Sequence, residues 1–142
     1  MSRPSVQPVP AVLAVVLRAG QVLLVRRANP PDAGLWGFPG GRIEPGETLG
    51  AAALRELAEE TGVQARAPEV LTALDALDSD DAGQLRFHYV LIAVVCQWVS
   101  GEPVAADDAL EARWVDLESL VGGALATSKD VAEVAMKAAA LR

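Results

Sequence analysis

One segment constrains the fold more than any other: a predicted helix that lies between two well-suited capping residues, Thr48 and Gly62. Threonine is a favoured N-cap residue, and glycine commonly ends a helix in the left-handed conformation. The apolar or small residues that recur between them at helical spacing are Leu54, Leu57, Ala58 and Thr61. We expect this face of the helix to pack on a hydrophobic core.

The segments that flank this helix carry β-strand patterns. Five strands are predicted: Ala11–Arg18, Gln21–Arg27, Glu69–Leu77, Gln84–Trp98 and Glu111–Asp116. The Pro-rich segment from Ser2 to Pro10 is expected to be extended, Ala19-Gly20 to form a tight hairpin turn, and the Gly- and Pro-dense stretch from Ala28 to Gly41 to be a loop. Two more helices are expected, one beginning at Leu117–Leu120 and one spanning Thr127 to Leu141, with Thr127 or Ser128 as its cap. This order indicates an α/β or α+β sandwich.

Composition excludes several classes of protein. The 142 residues suit a single domain, 1–142. A net charge of -7 without a basic stripe disfavours nucleic-acid binding, and no Lys/Arg-rich amphipathic segment indicates a membrane surface. The one cysteine, Cys96, lies in an apolar run and is expected to be buried. No signal peptide or spanning segment is evident, so a cytoplasmic location is expected.

The predicted helix has an unusual acidic face. Glu56, Glu59 and Glu60 fall within about 100° of arc on a helix of 3.6 residues per turn. Like charges at this spacing repel one another, so the face either lies in water or binds a cation. Three converging carboxylates are ligands that Mg²⁺ or Mn²⁺ prefers.

The spacing of residues 41–63 resembles the Nudix box, the signature of the Nudix hydrolase family. Nine specified positions over 23 residues match: Gly41, Glu47, Arg55, Glu56, Leu57, Glu59, Glu60, Gly62 and Val63. The segments LWGFPGG, VRR and EARWVDLESL also resemble segments of Nudix hydrolases, so the resemblance extends over roughly residues 11–120.

This resemblance implies a fold, an activity and a set of site residues. The fold would be an α/β/α sandwich with a central mixed β-sheet. The activity would be the metal-dependent hydrolysis of a nucleoside diphosphate linked to another moiety, with Mg²⁺ or Mn²⁺ as cofactor. Glu56, Glu59 and Glu60 would be metal ligands, together with the backbone carbonyl of Gly40. Arg55 and Glu47 would brace the loop, with Arg55 orienting the glutamates. The two glycines of the box, Gly41 and Gly62, would be structural.

A second acidic segment, from Ala105 to Glu111, offers a late metal ligand or a general base. Asp108 is the first candidate for that role, and Asp107 and Glu111 are alternatives. An ordinary polar loop is an equally good interpretation of these residues. The general base is left open between Glu56, Glu60 and this segment.

Three residues outside the box are candidates for binding substrate. Arg27 ends the second strand and is suited to a phosphate. Phe38, like Trp36 beside it, could stack on a base, although packing under the loop is an alternative. His88, the only histidine, is expected to point away from Phe87 and Tyr89 and to serve either structure or substrate.

The resemblance is strongest to the bacterial ADP-ribose pyrophosphatase-like subgroup, which implies cleavage of ADP-ribose to AMP and ribose 5-phosphate. A nucleoside triphosphate pyrophosphohydrolase that clears modified nucleotides is the alternative, and a non-catalytic nucleotide sensor is a third. The expected partner is a small nucleotide, with neither nucleic acid nor membrane. The apolar run Val90–Trp98 suits a core or a homodimer interface equally well.

Overall fold

The computed structural model describes residues 6–141. The first residues of the segment predicted to be extended, Ser2 to Ser5, lie outside the described residues. Seven strands and three helices follow one another in the order β1 (Val9–Arg18), β2 (Gln21–Arg27), β3 (Trp36–Gly37), β4 (Gly40–Arg42), α1 (Leu49–Thr61), β5 (Gln64–Ser79), β6 (Leu85–Ser100), β7 (Ala109–Asp116), α2 (Leu117–Val121) and α3 (Val131–Ala139).

The strands form a mixed sheet with the order β3-β2-β1-β6-β5. Strand β1 runs parallel to β6 and antiparallel to β2 and β4, while β7 lies antiparallel to β2. The predicted tight turn at Ala19-Gly20 is present, with φ angles of 50° and 77° that suit a type I′ hairpin. Strands β1 and β2 pair only at the two positions next to this turn. Beyond these positions the two strands separate, and β1 pairs with β4 while β2 pairs with β3.

The helices cover both faces of the sheet, and each face has its own hydrophobic core. Ala52, Ala53 and Leu57 of α1 pack against one face. Leu120 of α2 packs against the other face, together with the buried side of α3. Full burial of a side chain such as Leu57 stabilises the fold by about 1.5–3 kcal/mol. The predicted α/β/α sandwich with a central mixed sheet is therefore confirmed.

The segment from Ala28 to Gly41 is not entirely loop, because it contains β3 and the start of β4. Both strands are very short and rich in glycine, so they carry no alternation that the sequence could reveal. Gly40 pairs with Leu13 of β1. A Cβ atom on Gly40 would collide with the carbonyl oxygen of Val12, so the close approach of β4 to β1 requires glycine there.

The last helix begins later than predicted, at Val131 instead of Thr127. Thr127 bridges to Trp36 of β3, and the Ser128 amide donates to the Trp36 carbonyl over 2.9 Å. The two predicted caps are therefore engaged with the sheet. Asp130 occupies the N-cap position in the left-handed conformation, without a side-chain capping bond.

Two further predictions concern burial. Cys96 is buried in the core on the α1 side, as predicted, and this burial raises the pKa of its thiol to about 11. Among residues 6–141, no helix is both long enough and apolar enough to cross a membrane.

Candidate active site

Helix α1 is held at both ends as the sequence predicts. The Thr48 hydroxyl accepts a hydrogen bond from the Ala51 amide over 3.1 Å. Gly62 adopts the left-handed conformation, with φ of 74°, and its amide donates to the Ala58 carbonyl. The buried face differs in detail from the prediction, because Ala52 and Ala53 are fully buried whereas Leu54 and Ala58 are only partly buried.

Arg55 is the centre of an ionic network that connects the helix with the loop before it. Its Nε and Nη2 atoms donate to the two carboxylate oxygens of Glu47, over 2.6 and 2.8 Å. Its Nη1 atom donates to Glu56 over 2.7 Å and to Glu59 over 3.2 Å. Its Nη2 atom also donates to the carbonyl of Arg42. These contacts are compatible with the bracing role predicted for Arg55 and Glu47, which stays a prediction.

The network changes the acidity of its members. Hydrogen bonding from Arg55, followed by that from the Glu44 amide, lowers the pKa of Glu47 to about 2. The same Glu47 contact, more than any other, raises the pKa of Arg55. Both groups therefore remain charged at any pH at which the protein would function, and the brace is permanent.

Glu60 is the buried carboxylate of the site. Its residue is only 9% exposed, and its Oε2 atom accepts a hydrogen bond from the Gly40 amide over 2.9 Å. Burial raises the pKa of Glu60 to about 8, and the nearby charges of Glu56 and Asp108 act in the same direction. The Gly40 amide and the charge of Arg27 oppose this rise. A buried carboxylic acid of this kind is typical of functional sites.

Glu56 lies against the loop that carries the glycines. Burial is the main cause of a raised pKa at Glu56. Arg55 lowers this pKa, whereas the negative charges of Glu59 and Asp107 raise it further. A Cβ atom on Gly41 would lie 2.6 Å from the Glu56 carboxylate, so this glycine makes room for the acid. Glu59 is the exposed member of the set.

The three glutamates do not converge on one point in this structure. Within residues 6–141, no group of three or more His, Cys, Asp or Glu side chains is arranged to hold a metal ion. The physical reason is that each carboxylate follows its own partner. Arg55 binds Glu56 and Glu59, whereas Gly40 binds Glu60. The spacing of the three glutamates along the helix would allow them to converge, but their side chains do not do so in this structure.

The second acidic segment does reach the site. Asp107 and Asp108 lie close enough to influence the pKa of Glu56 and Glu60, respectively. The amide of Ala106 donates to the Glu60 carbonyl over 2.9 Å, which joins this loop to the end of α1. Glu111 does not share the site. It is bound to Arg26, which lies on the α3 side of the sheet because alternate residues of a strand face opposite sides.

The predicted substrate-binding residues have three different environments. Arg27 lies on the α1 side near Glu60, and its Nε atom donates to the carbonyl of Pro31 over 2.8 Å. Phe38 is 5% exposed and belongs to the core on the α3 side, which favours the packing alternative over stacking on a substrate. His88 lies opposite Leu77 in the β5–β6 pair, half-buried and facing away from the stacked rings of Phe87 and Tyr89.

Sequence reasoning missed the backbone groups of the site. The Gly40 amide, the Arg42 carbonyl and the Glu60 carbonyl all make contacts that position the acidic residues. Backbone groups leave no signal in the sequence, apart from the glycines that allow a close approach. The expectation for the Gly40 carbonyl as a metal ligand stays a prediction.

Comparisons with known proteins identify the family to which the chain belongs. The family model for the NUDIX domain matches residues 7–137. The chain is 35% identical over 113 residues to a protein of Methanocaldococcus jannaschii named ADP-ribose pyrophosphatase, and the match covers 80% of this chain and 64% of the relative. It is also 38% identical over 97 residues to the putative 8-oxo-dGTP diphosphatase 2 of Mycobacterium tuberculosis, with 68% of this chain and 65% of the relative covered.

A solved structure with a similar fold is a bifunctional NMN adenylyltransferase/ADP ribose pyrophosphatase from Francisella tularensis, complexed with AMP and a Mn ion. The TM-score is 0.71 at 28% sequence identity, and the match covers 92% of this chain and 40% of that chain. The chain therefore spans less than two thirds of the length of each of these three proteins.

Proposed function

Because the chain belongs to the Nudix family, we propose that it is a metal-dependent hydrolase that cleaves the phosphoanhydride bond of a nucleoside diphosphate linked to another moiety. One observation carries this proposal more than any other. Glu56 and Glu60 are carboxylates withdrawn from water, with raised pKa values, beside an arginine that is already fully engaged. Such an arrangement is costly for the isolated protein and is stabilised by a bound cation.

The chemistry of the donors at the site suits a divalent cation such as Mg²⁺ or Mn²⁺, although the carboxylates would have to leave their present partners to converge on it. Glu56, Glu59 and Glu60 would hold it, with Asp108 as the late ligand and the Gly40 carbonyl as a further donor. Hard oxygen ligands of this kind suit both ions. A bound cation would neutralise phosphate charge and lower the pKa of a coordinated water.

The chain's own residues have separate tasks in this proposal. Arg55 holds Glu56 and Glu59 in place through its contact with Glu47 and does not touch the substrate. Arg27 lies close enough to influence Glu60 and donates from its Nε atom to the Pro31 carbonyl, and we assign its remaining donors to a phosphate oxygen of the substrate. The proton of the attacking water passes to a carboxylate, for which Glu56, Glu60 and Asp108 are the candidates.

The substrate that we propose first is ADP-ribose. Water attacks one phosphorus of its diphosphate, the phosphoanhydride bond breaks, and the products are AMP and ribose 5-phosphate. The relative from M. jannaschii, which is named ADP-ribose pyrophosphatase and aligns with 80% of this chain, supports this choice.

A second candidate is the hydrolysis of an oxidised nucleoside triphosphate to a monophosphate and pyrophosphate. The similarity to the M. tuberculosis protein named putative 8-oxo-dGTP diphosphatase 2 favours it. A non-catalytic sensor is the least supported alternative, because every glutamate of the box is retained.

Product analysis with Mg²⁺ tests the proposal. The purified protein is incubated with ADP-ribose, the common nucleoside triphosphates, 8-oxo-dGTP and dinucleoside polyphosphates, and the products are separated by chromatography. AMP and ribose 5-phosphate formed at the highest kcat/KM of the panel would support the first candidate. Pyrophosphate and a nucleoside monophosphate at a higher kcat/KM would favour the second.

A control variant and a chelator complete the experiment. Glu56→Gln keeps the size of the side chain and removes its charge, so kcat/KM should fall sharply, and near-normal activity in this variant would contradict the role proposed for Glu56. Activity should disappear with EDTA and return with excess Mg²⁺. Activity that survives complete metal removal would overturn the proposed mechanism.

A further inference from the structure

A cluster outside the Nudix box connects the sheet with the acidic loop, residues 101–108. The guanidinium of Arg18 lies between two tryptophan rings, 4.8 Å from the centre of Trp98 and 4.3 Å from the centre of Trp114. It also donates two hydrogen bonds to Glu102, over 2.7 and 3.2 Å. The loop therefore begins with a carboxylate held by an arginine whose position is fixed on both sides.

Both indole groups also contact the start of the loop. The Nε1 atom of Trp114 donates to Glu102 over 3.1 Å, and that of Trp98 donates to the Gly101 carbonyl over 3.0 Å. Stacking of arginine on tryptophan and paired hydrogen bonds to a carboxylate both restrict orientation. We call these four side chains, Arg18, Trp98, Glu102 and Trp114, the clamp.

Beyond the clamp, the loop lies along the C-terminal end of α1. The Val104 amide donates to the Thr61 carbonyl, and the Ala106 amide donates to the Glu60 carbonyl, each over 2.9 Å. The end of the loop is held again where the Ala28 amide donates to the Asp108 carbonyl over 3.0 Å. These contacts determine where the loop places Asp107 and Asp108.

Asp107 itself indicates that the loop is held in a demanding conformation. Its φ angle is 51°, in the left-handed region that non-glycine residues rarely occupy. Such a conformation persists where the surrounding structure enforces it. The clamp and the Ala106 contact hold the loop before Asp107, and the contact between the Ala28 amide and the Asp108 carbonyl holds it after Asp107.

We propose that the clamp is a positioning device for the active site: Arg18, held between Trp98 and Trp114, binds Glu102 and thereby presents Asp107 and Asp108 to the carboxylates of α1. This inference rests on the proposed function for its effect on catalysis, but its effects on the loop and on cation binding do not depend on the substrate. Glu102 touches neither the glutamates of the box nor the reacting atoms, so it acts only through the loop.

The variant Glu102→Ala tests the clamp with little risk to the fold, because the Glu102 side chain is 68% exposed. The matched control is Arg86→Ala, which removes a similarly close ion pair, 2.7 Å to Asp78, on the far β5–β6 hairpin. Glu102→Gln is the conservative variant, since its amide oxygen still accepts from Trp114. Three measurements compare these variants with the natural protein.

The first measurement is amide hydrogen exchange, which should be at least fivefold faster at Val104 and Ala106 in Glu102→Ala and unchanged there in Arg86→Ala. The second is Mn²⁺ titration without nucleotide, in which Glu102→Ala should bind at least fivefold more weakly. The third is turnover of ADP-ribose, where kcat should fall about tenfold with KM changed less than twofold. Glu102→Gln should lie between Glu102→Ala and the natural protein in each case.

The outcomes separate this proposal from the proposed function. If Mn²⁺ affinity and kcat in Glu102→Ala equal those in Arg86→Ala, the clamp has no positioning role. If the natural protein hydrolyses no compound of the panel while Glu102→Ala still weakens Mn²⁺ binding and loosens the loop, the clamp stands and the proposed function falls. Failure of the natural protein to bind Mn²⁺ would overturn the role of the clamp.

Discussion

Two segments of the chain are equally dense in carboxylates but differ in what surrounds them. Helix α1 carries Glu56, Glu59 and Glu60, and the β5–β6 hairpin carries Asp78 at the end of β5 with Asp80 and Asp81 in its turn. At α1, the sheet buries Glu60 while Arg55 binds the other two glutamates.

In the turn, Asp80 uses its Oδ1 atom to accept from the amides of Ala82 and Gln84, each over 2.9 Å. Asp78 pairs with Arg86, and within residues 6–141 no backbone hydrogen bond joins the turn to α1. The difference shows that acidic density alone does not define a site. Burial and an arginine with several partners turn a row of carboxylates into a candidate cation site, whereas aspartates that close a turn serve the backbone.

The largest difference between the two segments should be seen when one carboxylate in each becomes an amide. Glu60→Gln removes the buried charge without changing volume, and we expect kcat/KM to fall by about a thousandfold or more because a metal ligand is lost. Asp80→Asn keeps an oxygen that can accept both amides, and its kcat/KM should stay within twofold. Steady-state kinetics on ADP-ribose measures both, and near-normal turnover of Glu60→Gln would contradict the assignment of α1 as the site.

Lysine in place of arginine gives the second comparison. Arg55→Lys keeps the charge but loses the fork that binds both oxygens of Glu47, and the ammonium cannot serve all four partners. We expect a 10- to 100-fold loss of Mn²⁺ affinity, as is usual when a residue that orients ligands is changed.

The same substitution in the β5–β6 hairpin, Arg86→Lys, changes a single ion pair with Asp78 and should leave Mn²⁺ affinity unchanged. Calorimetric titration measures both affinities. Equal behaviour of the two variants would mean that Arg55 contributes only charge and does not orient the glutamates.

Glu60 should make the protein less stable as pH rises, whereas an ordinary ion-paired carboxylate makes a protein more stable as pH rises. Because the pKa of Glu60 is about 8 in the fold, against 4.5 ordinarily, the folded protein keeps a proton that the unfolded chain has lost. Its contribution is full below pH 4.5 and is lost as pH rises toward 8. Between the ordinary pKa of 4.5 and pH 7 the difference is 2.5 units, so at about 1.4 kcal/mol per pKa unit the loss by pH 7 is on the order of 3 kcal/mol.

The measurement is urea unfolding of the natural protein and of Glu60→Gln in EDTA between pH 5 and 8. The variant should become the more stable of the two as pH rises, and added Mn²⁺ should restore the natural protein. Asp80→Asn, by contrast, should show no such trend relative to the natural protein. A constant difference between Glu60→Gln and the natural protein would show that burial does not raise the pKa of Glu60.

The sequence predicted those features that depend on residue type at a fixed spacing. The caps of α1 are an example, because Thr48 and Gly62 each impose a local geometry. The sandwich followed from the strand patterns and from the resemblance, and the pair formed by Glu47 and Arg55 followed from the box. The tight turn at Ala19-Gly20 was equally local.

What the sequence could not predict depends on contacts between distant segments. Phe38 and Glu60 are buried on opposite faces of the sheet. Which face each residue occupies depends on how distant strands pair, and neither residue type reveals this. The late start of α3 follows from the contacts of Thr127 and Ser128 with Trp36, far away in the sequence. The clamp belongs to the same class, since Arg18 and Glu102 are 84 residues apart.

The smallest expected effect comes from truncating the turn aspartate, Asp80→Ala. This change removes the acceptor for the amides of Ala82 and Gln84, so about 1 kcal/mol of stability should be lost. Activity and Mn²⁺ affinity should not change, because among the described residues no backbone hydrogen bond joins the turn to α1 or to the acidic loop. Urea unfolding and steady-state kinetics of the variant measure the two quantities. A loss of activity larger than the loss of stability explains would mean that the hairpin communicates with the site, and the distinction between the two acidic segments would then fail.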